Sequence, residues 1–467
     1  MAKTPPEREE SDPWLPEVQP DSYGISADLV RTVSEALERG DEAEARRVAT
    51  DLHEADLADL LENLDRDDRP RLIRILGDAF DLEVLTYLDS SLREDIIEAL
   101  EPRQLADSLS DLDSDDAVDI FEDLDEEAQR EVLEALPRAD RIALEESLSF
   151  PEDSAGRIMQ REVLAVPSSW TVGQTIDYMR AAKDLPDDFY DLYIVDPKHQ
   201  PIGFVPLSRA MRTKRPVALT DIMTDDMKVV PIEMDQEEVA YLFRQYGLVS
   251  APVVDGAGRL IGVVTVDDVV HIIDEEAEED LLKLAGVQET DLYSAVLDTT
   301  RSRFSWLLVN LFTAVAASLV IAIFEETIER VVALAVLMPI VASMGGNAGT
   351  QTLTVAVRAI AMRDLSAGNA WRFVGKEVLV GLANGLIFAV LAGLLAWVWF
   401  DAPMIGAIIA AAMVINLVVA TLSGALVPLG LEKLGVDPAV ASSVVLTTVT
   451  DVIGFFAFLG LAALLLF

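Results

Sequence analysis

The sequence of 467 residues contains no cysteine, and its three histidines, His53, His199 and His271, all precede the apolar last third of the chain. The absence of cysteine excludes disulfides and thiolate metal sites. The absence of histidine from the last third removes the nitrogen ligands that zinc and copper prefer. Any metal ion held in that region must therefore bind to oxygen.

Basic residues are also scarce, since 36 lysines and arginines oppose 81 aspartates and glutamates, for a formal net charge of −45. Only nine of the acids and eight of the bases lie from Arg301 onward, so the first 300 residues hold nearly all of the net charge. Such a surface attracts cations and repels anionic lipid and nucleic acid, which excludes nucleic acid as a partner. The ratio of eight lysines to 28 arginines fits adaptation to a salty cytoplasm, and this explanation stays open beside cation sensing.

The N-terminus, MAKTPPEREESDPW, has no apolar run. A signal peptide needs such a run, so we expect none here, and we expect the long polar region that follows to remain in the cytoplasm. Residues 1–24 are rich in proline and charge and are expected to form a flexible lead-in.

Leucine recurs every twelve residues from Leu52 to Leu148. Apolar residues lie three and four positions before these leucines, and Asp, Glu, Gly or Pro follows most of them. This pattern is typical of short amphipathic helices whose N-termini are capped by Asp or Ser. A repeat this regular predicts an all-α superhelical domain over residues 25–152.

A second internal repeat predicts a tandem domain over residues 153–274. RIMQREVLAVPSSWTVGQTIDYMR at 157–180 matches DIMTDDMKVVPIEMDQEEVAYLFR at 221–244, and each copy predicts the order strand, helix, strand, strand, helix. The pair resembles tandem α/β CBS domains, above all in APVVDGAGRLIGVVTVDDVV. The resemblance implies that Thr265 and Asp268 hold the ribose and phosphates of an adenine nucleotide such as ATP, at a helix start that suits an anion. The alternative is that Thr265 only caps that helix.

Six acids fall within the seven residues of DEEAEED, at 274–280. Acids three and four residues apart on a helix repel each other, and bound divalent cations would relieve that repulsion. The plainer alternative is a solvated charged face. Because residues 275–303 lie between the CBS pair and the first apolar run, they are predicted to form a connecting helix that couples the two.

Five apolar runs in residues 304–467 are long enough to cross a bilayer as helices of about 20 residues. They occupy residues 305–324, 331–357, 378–400, 404–431 and 439–467. Arginine and lysine concentrate before the first run and between the second and third, whereas EETIER and DAP lie in the opposite loops. The positive-inside rule therefore places the N-terminus in the cytoplasm and, after five spans, the C-terminus outside.

Two polar stripes interrupt the apolar runs. One comprises Ser343, Asn347, Gln351, Thr354 and Arg358, the other Ser443, Thr447 and Asp451, and the spacing places each set on one helical face. Close helix packing accounts for hydroxyls and glycines in a span, but an ionisable group there indicates a functional site. Asp451 is the one carboxylate predicted well inside a span, and its hard oxygen neighbours favour magnesium or calcium.

The motif from Pro339 to Gln351, P…GGNAGTQ, and the aspartate of the fifth span resemble the MgtE family of magnesium transporters and channels. The resemblance covers essentially everything after the first two dozen residues. It implies a homodimer whose ion path lies between the second and fifth spans of both subunits. The residues that it assigns to the path are Asn347, carbonyls near Gly345, Asp451 and Thr447, with Ser443 on the same stripe.

The resemblance also implies that the path closes when cytoplasmic magnesium binds acids of the N domain, the CBS pair and the connecting helix. Asp437, which precedes the fifth span, matches a family acid that couples to the connecting helix. The candidate sensor acids are Glu233, Asp235, Asp267, Glu278 and Glu279. Magnesium is thus expected both as cargo and as regulator.

The predicted function is therefore that of a magnesium-selective, channel-like transporter in the lipid of the cell membrane, which imports Mg²⁺ down its electrochemical gradient. Transport of cobalt, nickel or calcium on the same scaffold is the alternative within this class. An intramembrane enzyme regulated by CBS domains would need a nucleophile and a base, or several ligating acids, at membrane depth. The sequence offers one aspartate there and no His or Cys, so we do not expect an enzyme.

Overall fold

The computed structural model describes residues 24–88, 90–97, 100, 102–110, 112–182, 185–186, 189–287, 296–366 and 368–467. The chain divides into two compact units, Met1–Val269 and Val270–Phe467. The predicted lead-in lies outside the described residues except for Gly24, and so do residues 288–295 of the predicted connecting helix. The domain boundaries read from the sequence therefore stay predictions.

Short helices open the first unit. In the described part of the chain they are α1 Ala27–Arg39, α2 Glu42–Thr50, α3 Glu54–Asn63, α4 Arg69–Leu76, α5 Ser90–Ile97, α6 Pro102–Leu109, α7 Ser114–Glu122, α8 Glu126–Ala135 and α9 Arg138–Ser147. Asp41 and Asp125 precede α2 and α8, and their carboxylates accept hydrogen bonds from backbone N–H groups of the first turn. Such acids satisfy donors that a helix start leaves unpaired, as the repeat predicted.

The leucines of the twelve-residue repeat belong to one hydrophobic core of this helical region. Leu64, Leu76 and Leu136 are buried at the C-terminal ends of α3, α4 and α8. The repeat predicts short α-helices throughout, but Gly77–Ala79 and Leu82–Tyr87 form 3₁₀ segments instead. Gly77 ends α4 with a φ of 55°, a conformation that interrupts the helix and favours glycine.

Two three-stranded sheets follow. The first contains β1 Ala165–Pro167, β2 Asp191–Val195 and β3 Pro201–Pro206, and the second β4 Val230–Pro231, β5 Ser250–Val254 and β6 Leu260–Thr265. In both, the first strand pairs parallel with the second, and the second antiparallel with the third. Helices α10 Val172–Ala181, α11 Leu207–Arg212, α12 Gln236–Tyr246 and α13 Val266–Ala285 complete the order that the repeat predicted.

The two copies of this repeat contact each other directly. The Tyr193 hydroxyl of β2 lies 2.6 Å from the Ser250 hydroxyl of β5, and Tyr193 shares a small hydrophobic core with Leu260 and Val263 of β6. Gln160 also pairs with Val263 through the backbone. The copies therefore pack against each other as a pair, as the resemblance to tandem CBS domains implies.

The second unit contains α14 Val296–Ile323, α15 Glu325–Arg330, α16 Ala333–Ala361, α17 Ala370–Phe400, α18 Pro403–Lys433 and α19 Pro438–Leu466. All except α15 are long and apolar enough to cross a membrane, as the sequence predicted. With the helical N-terminal region and the α/β CBS pair, these five helices confirm the predicted multidomain fold class.

Helix α17 is longer than the third apolar run predicts. It begins at Ala370, eight residues before the third apolar run, and so includes Glu377, whose side chain is buried. The apolar run starts late because Arg372, Lys376 and Glu377 lower the hydropathy of the first two turns. Glu377 lies about two turns from the start of α17, so the expectation that Asp451 is the one carboxylate well inside a span stays a prediction.

Helix α18 packs against α16, α17 and α19. Glycines permit the close approach: a Cβ added at Gly424 of α18 would lie 2.6 Å from the carbonyl oxygen of Gly349 in α16. A Cβ at Gly406 would likewise lie 2.5 Å from the carbonyl oxygen of Gly393 in α17. Small residues at such crossings are how membrane helices gain contact area without a hydrophobic driving force.

Candidate ion path and cation-binding acids

The polar stripe of α16 lies on the face that the other helices of the chain leave open. Its exposed members are Ser343, Asn347, Gln351, Thr354 and Arg358. The opposite face is buried, for example at Leu337 and Val341. Asn347 Nδ2 approaches Ser343 Oγ at 3.4 Å, and the Thr354 hydroxyl donates to the Thr350 carbonyl at 3.0 Å, so both of these contacts stay within α16. The face is therefore available to water, to an ion or to a second copy of the protein.

Gly345 lies on the packed face of α16, not on the polar stripe. It is buried, and a Cβ added to it would overlap the side chain of Asn416 in α18. This contact explains why a glycine is required. The contribution of its carbonyl to an ion path stays a prediction, because α16 continues as a helix through Gly345 and Gly349.

The polar stripe of α19 lies on the neighbouring helix. Thr447 is exposed, and Ser443 and Asp451 are partly buried. The Thr447 hydroxyl donates to the Ser443 carbonyl at 2.9 Å, so its lone pairs remain free to accept from water. Leu446 packs against Gly349, which brings α19 against α16. The two stripes predicted to form the ion path thus lie on two helices in contact.

Two buried polar residues behind α16 were missed by the sequence reasoning. Asn416 of α18 is fully buried, and its Nδ2 donates to the Val341 carbonyl at 2.7 Å. Glu377 of α17 accepts a hydrogen bond at 3.1 Å from the hydroxyl of Thr352 in α16. Neither residue belongs to a periodic stripe. The signal that could have found them is a lone amide or carboxylate within a span.

In the first unit, carboxylates from α7 and α13 come together. Asp115 of α7 is buried, and its carboxyl group interacts with that of Asp268 at the start of α13. Burial and the charge of Asp268 raise the pKa of Asp115. The same two causes raise the pKa of Asp116 to about 7. Burial raises the pKa of Asp268 to about 6, although the hydrogen bond from Thr265 opposes the shift.

This group, Asp115, Asp116 and Asp268, is called the buried acid cluster below. Its like charges are desolvated together, so protons or a cation must relieve their repulsion. In the described part of the chain, no group of three or more His, Cys, Asp or Glu side chains is arranged to bind a metal ion. Magnesium often keeps several waters and binds through one or two carboxylates, which such a loose arrangement permits. The run SDD at the start of α7 is the sequence signal that was overlooked.

The acids proposed as sensors from the sequence lie in ordinary surroundings. Glu233, Asp267 and Glu278 are exposed. Asp235 caps α12 by accepting from the Glu237 N–H at 2.9 Å. Glu279 pairs with Lys283 one turn later on α13. These positions leave their predicted role open.

The C-terminal end of α13 contacts the ends of the membrane helices within the second unit. Lys283 Nζ lies 2.9 Å from a carboxylate oxygen of Asp437, which also caps α19 by accepting from the Ala439 N–H at 2.8 Å. Burial lowers the pKa of Lys283, but the hydrogen bonds that it donates to Glu279 and Asp437 outweigh burial, and the net pKa is raised. Leu284 packs against a small core of Leu353, Val357, Ala439 and Leu446. The predicted connecting helix therefore contacts both α16 and α19.

The nucleotide prediction falls on a narrow cleft. Thr265 Oγ1 donates to Asp268 at 2.6 Å, so the two predicted ligands bind each other. The cleft that Thr265 lines with Tyr193 and Ser250 holds about 20 Å³. That volume suits one water molecule and is far too small for a nucleotide.

Five spans, a partly buried carboxylate on a polar membrane face and an acidic CBS-containing region define a multi-pass membrane transporter of cations. Comparison with known families supports this class. The family model described as "Divalent cation transporter" matches residues 338–461, the MgtE intracellular N domain matches 52–153, and a CBS domain matches 219–275.

The magnesium transporter MgtE of Thermus thermophilus is 34% identical over 457 residues, which cover 94% of this chain and 98% of that protein. The magnesium transporter MgtE of Enterococcus faecalis is 32% identical over 69% of this chain and 71% of that protein. The chain belongs to the MgtE family. It is therefore a transporter and not an enzyme, and its N-terminal region is cytosolic.

The chain is similar to a solved structure of the cytosolic domain of the Mg²⁺ channel MgtE in complex with ATP. The match covers 52% of this chain and 99% of the solved chain, with 30% identity and a TM-score of 0.49. It is also similar to a solved structure of the soluble part of a magnesium transporter. That match covers 54% of this chain and 98% of the solved chain, with 25% identity and a TM-score of 0.46.

Proposed function

We propose that the protein imports Mg²⁺ as a homodimer through a path between the polar faces of α16 and α19. The observation that supports this most is Asp451 on a stripe with Thr447, beside the open stripe of Asn347. Each stripe lies on a helix face that is at least partly exposed in the single chain. A two-fold axis along these faces would place two Asp451 carboxylates at one depth and double the attraction for a divalent cation.

The ligands on the path are carboxylate, hydroxyl and amide oxygens, which favour hard cations. Magnesium sheds water reluctantly, so the ion is expected to pass with much of its hydration shell and outer-shell contacts. Import needs no ATP hydrolysis, because two charges crossing about 100 mV gain roughly 4.6 kcal/mol. Cobalt, nickel and calcium remain the competing cargoes, and a competition assay separates them.

Cytoplasmic Mg²⁺ is proposed to close the path. The buried acid cluster supports this, because carboxylates that repel without a cation dock when one bridges them. The contact of Lys283 and Leu284 with Asp437 and the ends of α16 and α19 supplies the link to the membrane helices. Glu233, Asp235, Asp267, Glu278 and Glu279 remain proposed contributors to the sensor. Adaptation to salt is the alternative explanation of the acidity, and it predicts no preference for Mg²⁺ over sodium.

In the proposed orientation in the cell membrane, the basic residues at the start of α14, at the end of α16 and at the start of α17 face the cytoplasm. The C-terminus of α19 then lies outside. An adenine nucleotide such as ATP is proposed to bind near Thr265 and Asp268 once the side chains that narrow the cleft move apart.

Uptake by proteoliposomes tests the transport proposal. With an internal Mg²⁺ indicator and an inside-negative potential, the wild type is expected to take up Mg²⁺. The initial rate of uptake by Asp451→Ala is expected to be at least tenfold lower. Asp401→Ala removes an exposed carboxylate just after α17 and serves as the matched control, with wild-type flux expected. Normal uptake by Asp451→Ala at equal protein content contradicts the assignment of the path.

The absence of cysteine makes the dimer directly testable. Thr447→Cys introduces one thiol on the open face of α19, and oxidation in membranes is expected to yield a cross-linked dimer that blocks uptake. Val398→Cys, on an exposed part of α17, is the control that should stay monomeric. Equal cross-linking of both variants contradicts the proposed two-fold axis.

A further inference from the structure

Asn416 carries an amide at a buried position, where burying an apolar side chain would cost less free energy. It is fully buried in α18, in the membrane unit, by helices of its own chain, so a partner subunit does not alter its surroundings. Its Nδ2 donates to the Val341 carbonyl at 2.7 Å, but its Oδ1 has no hydrogen-bond partner among the described residues. Burying an unpaired acceptor is unfavourable, so packing alone does not explain the asparagine.

The side chain of Asn416 contacts the two helices that bear the polar stripes. Gly345 of α16 faces it, and a Cβ there would overlap the amide. A Cβ at Gly454 of α19 would lie 2.9 Å from Nδ2 and 3.0 Å from Oδ1. Gly454 follows Asp451 by three residues, and Gly345 precedes Asn347 by two. Asn416 therefore fills the space between the stripe helices at the depth of their polar residues, from the side away from the proposed path.

A second buried hydrogen bond holds α16 further toward its C-terminal end. Thr352 and Glu377 are both buried, and the Thr352 hydroxyl donates to Glu377 Oε2 at 3.1 Å. Val341 and Thr352 are eleven residues apart, or about 16 Å along a helix axis. The segment between them contains Gly345, Gly346 and Gly349, which weaken the helix and reduce its side-chain packing.

We propose that Asn416 and Glu377 are positioning residues that hold this glycine-rich segment from behind and thereby fix which way Asn347 and Gln351 face. The hydrogen bonds specify one rotation and one axial position of α16, which apolar contacts between small residues do not. Loss of either bond lets α16 shift against α19, and the spacing between Asn347 and Asp451 changes with it. The inference rests on the proposed ion path and deepens it, since it assigns cargo selectivity to residues that touch no ion.

The first test replaces Asn416 with leucine. Asn416→Leu removes the unpaired acceptor, and the Val341 carbonyl keeps its helical partner, so folding should be preserved and the melting temperature unchanged or raised. The expected result is at least a threefold loss of preference for Mg²⁺ over Ca²⁺ and Co²⁺ in proteoliposome uptake. A purely structural role would change the melting temperature and the total flux but leave this ratio alone. A folded Asn416→Leu protein with wild-type selectivity overturns the proposal.

The second test uses the contact with Gly454. Gly454→Ala forces its Cβ against Asn416 and is expected to reduce Mg²⁺ uptake about tenfold. Combined with Asn416→Ala, which removes the clash, uptake should return to the level of Asn416→Ala alone, because substitutions that share a contact are not additive. Losses that simply multiply in the double variant overturn the direct contact.

The third test separates the Glu377 bond from a general effect of altering α16. Thr352→Val removes the hydroxyl bonded to Glu377, whereas Thr350→Val removes one that donates only to the Gly346 carbonyl of its own helix, at 2.9 Å. Selectivity should fall in Thr352→Val and not in Thr350→Val, and Glu377→Gln, which keeps an acceptor, should retain it. Equal effects of the two valine substitutions overturn the role of Glu377. Wild-type protein that moves no Mg²⁺ would instead refute the transport proposal itself.

Discussion

The acidic first 300 residues and the membrane helices that follow them use carboxylates in opposite ways. The first 300 residues hold 72 acids against 28 bases, and the rest of the chain holds nine against eight. In the first unit, Asp115, Asp116 and Asp268 crowd together and share their desolvation. In the membrane unit, Asp451 is the one acid on its stripe.

In the proposed mechanism, this difference follows from what each group does with a cation. Crowded carboxylates would bind a cation strongly enough for its occupancy to follow the cytoplasmic Mg²⁺ concentration, as the proposed sensor requires. A single carboxylate attracts ions but releases them, which conduction requires. The predictions below alter one side of this comparison at a time.

The largest effect is expected from neutralising the buried acid cluster. Asp116→Asn with Asp268→Asn removes the repulsion that Mg²⁺ is proposed to relieve, so the first unit should stay compact without Mg²⁺. Limited proteolysis of the full chain near residues 274–280, at fixed ionic strength, should then show a tenfold or greater loss of Mg²⁺ dependence, while wild type is protected only in millimolar Mg²⁺.

Asp28→Asn with Asp226→Asn is the control, because both acids are exposed and each already has an ion-pair partner. It should respond to Mg²⁺ like the wild type. Protection of the wild type by sodium equal to that by Mg²⁺ would favour salt adaptation and remove the basis for gating.

The second prediction concerns pH in the absence of divalent cations. The pKa values of Asp116 and Asp268 are raised to about 7 and about 6, so the folded state binds more protons than the unfolded state between about pH 4 and pH 7. The stability that these two raised pKa values contribute is therefore fully present below about pH 4, and it is lost as pH rises through this window. Calorimetry in chelator should show the transition of the cytosolic region falling by about 5 °C or more from pH 5 to pH 8.

Millimolar Mg²⁺ should restore that transition at pH 8, and the Asp116→Asn, Asp268→Asn protein should show a flatter profile. A wild-type profile that rises from pH 5 to pH 8 in chelator contradicts the sign of the linkage.

A smaller effect is expected at the contact between α13 and α19. Lys283→Gln removes the ion pairs with Asp437 and Glu279, and a partly exposed pair of this kind contributes up to about 1 kcal/mol. The Mg²⁺ concentration that half-inhibits uptake should rise about two- to fivefold, while the maximal flux stays the same. Lys228→Gln, which breaks an ion pair with Asp226 in the CBS pair, is the matched control and should leave inhibition unchanged. No shift in Lys283→Gln would show that the contact does not transmit closure.

The smallest effect is expected at the narrow cleft of the proposed nucleotide site. If Thr265 and Asp268 hold a ribose, millimolar ATP should raise the melting temperature of the full chain by about 2–4 °C, an effect on the order of 1 kcal/mol. Thr265→Val should abolish most of that shift, and Thr213→Val, whose hydroxyl bonds only its own helix, should retain it. A wild-type protein insensitive to ATP would favour the local role of the Thr265 hydroxyl.

The accuracy of the sequence reasoning followed the regularity of the pattern. The twelve-residue leucine repeat, the duplicated CBS pattern and the five spans were all found, because periodic burial leaves a periodic trace. The stripes of Asn347 and Asp451 were found for the same reason. The two 3₁₀ segments at residues 77–87 and the early start of α17 departed from their patterns and were missed.

The sequence by itself determined the class of the chain, its five spans and the polar faces of α16 and α19, because these depend on the order and spacing of residue types along single elements. Only the tertiary structure decided that Asp115 meets Asp268 across more than a hundred residues, that Lys283 reaches Asp437 and that Asn416 lies between Gly345 and Gly454. Each of these contacts joins single residues from different helices. Spacing along one helix says which face a side chain occupies, but the neighbour on that face is set by how the helices pack.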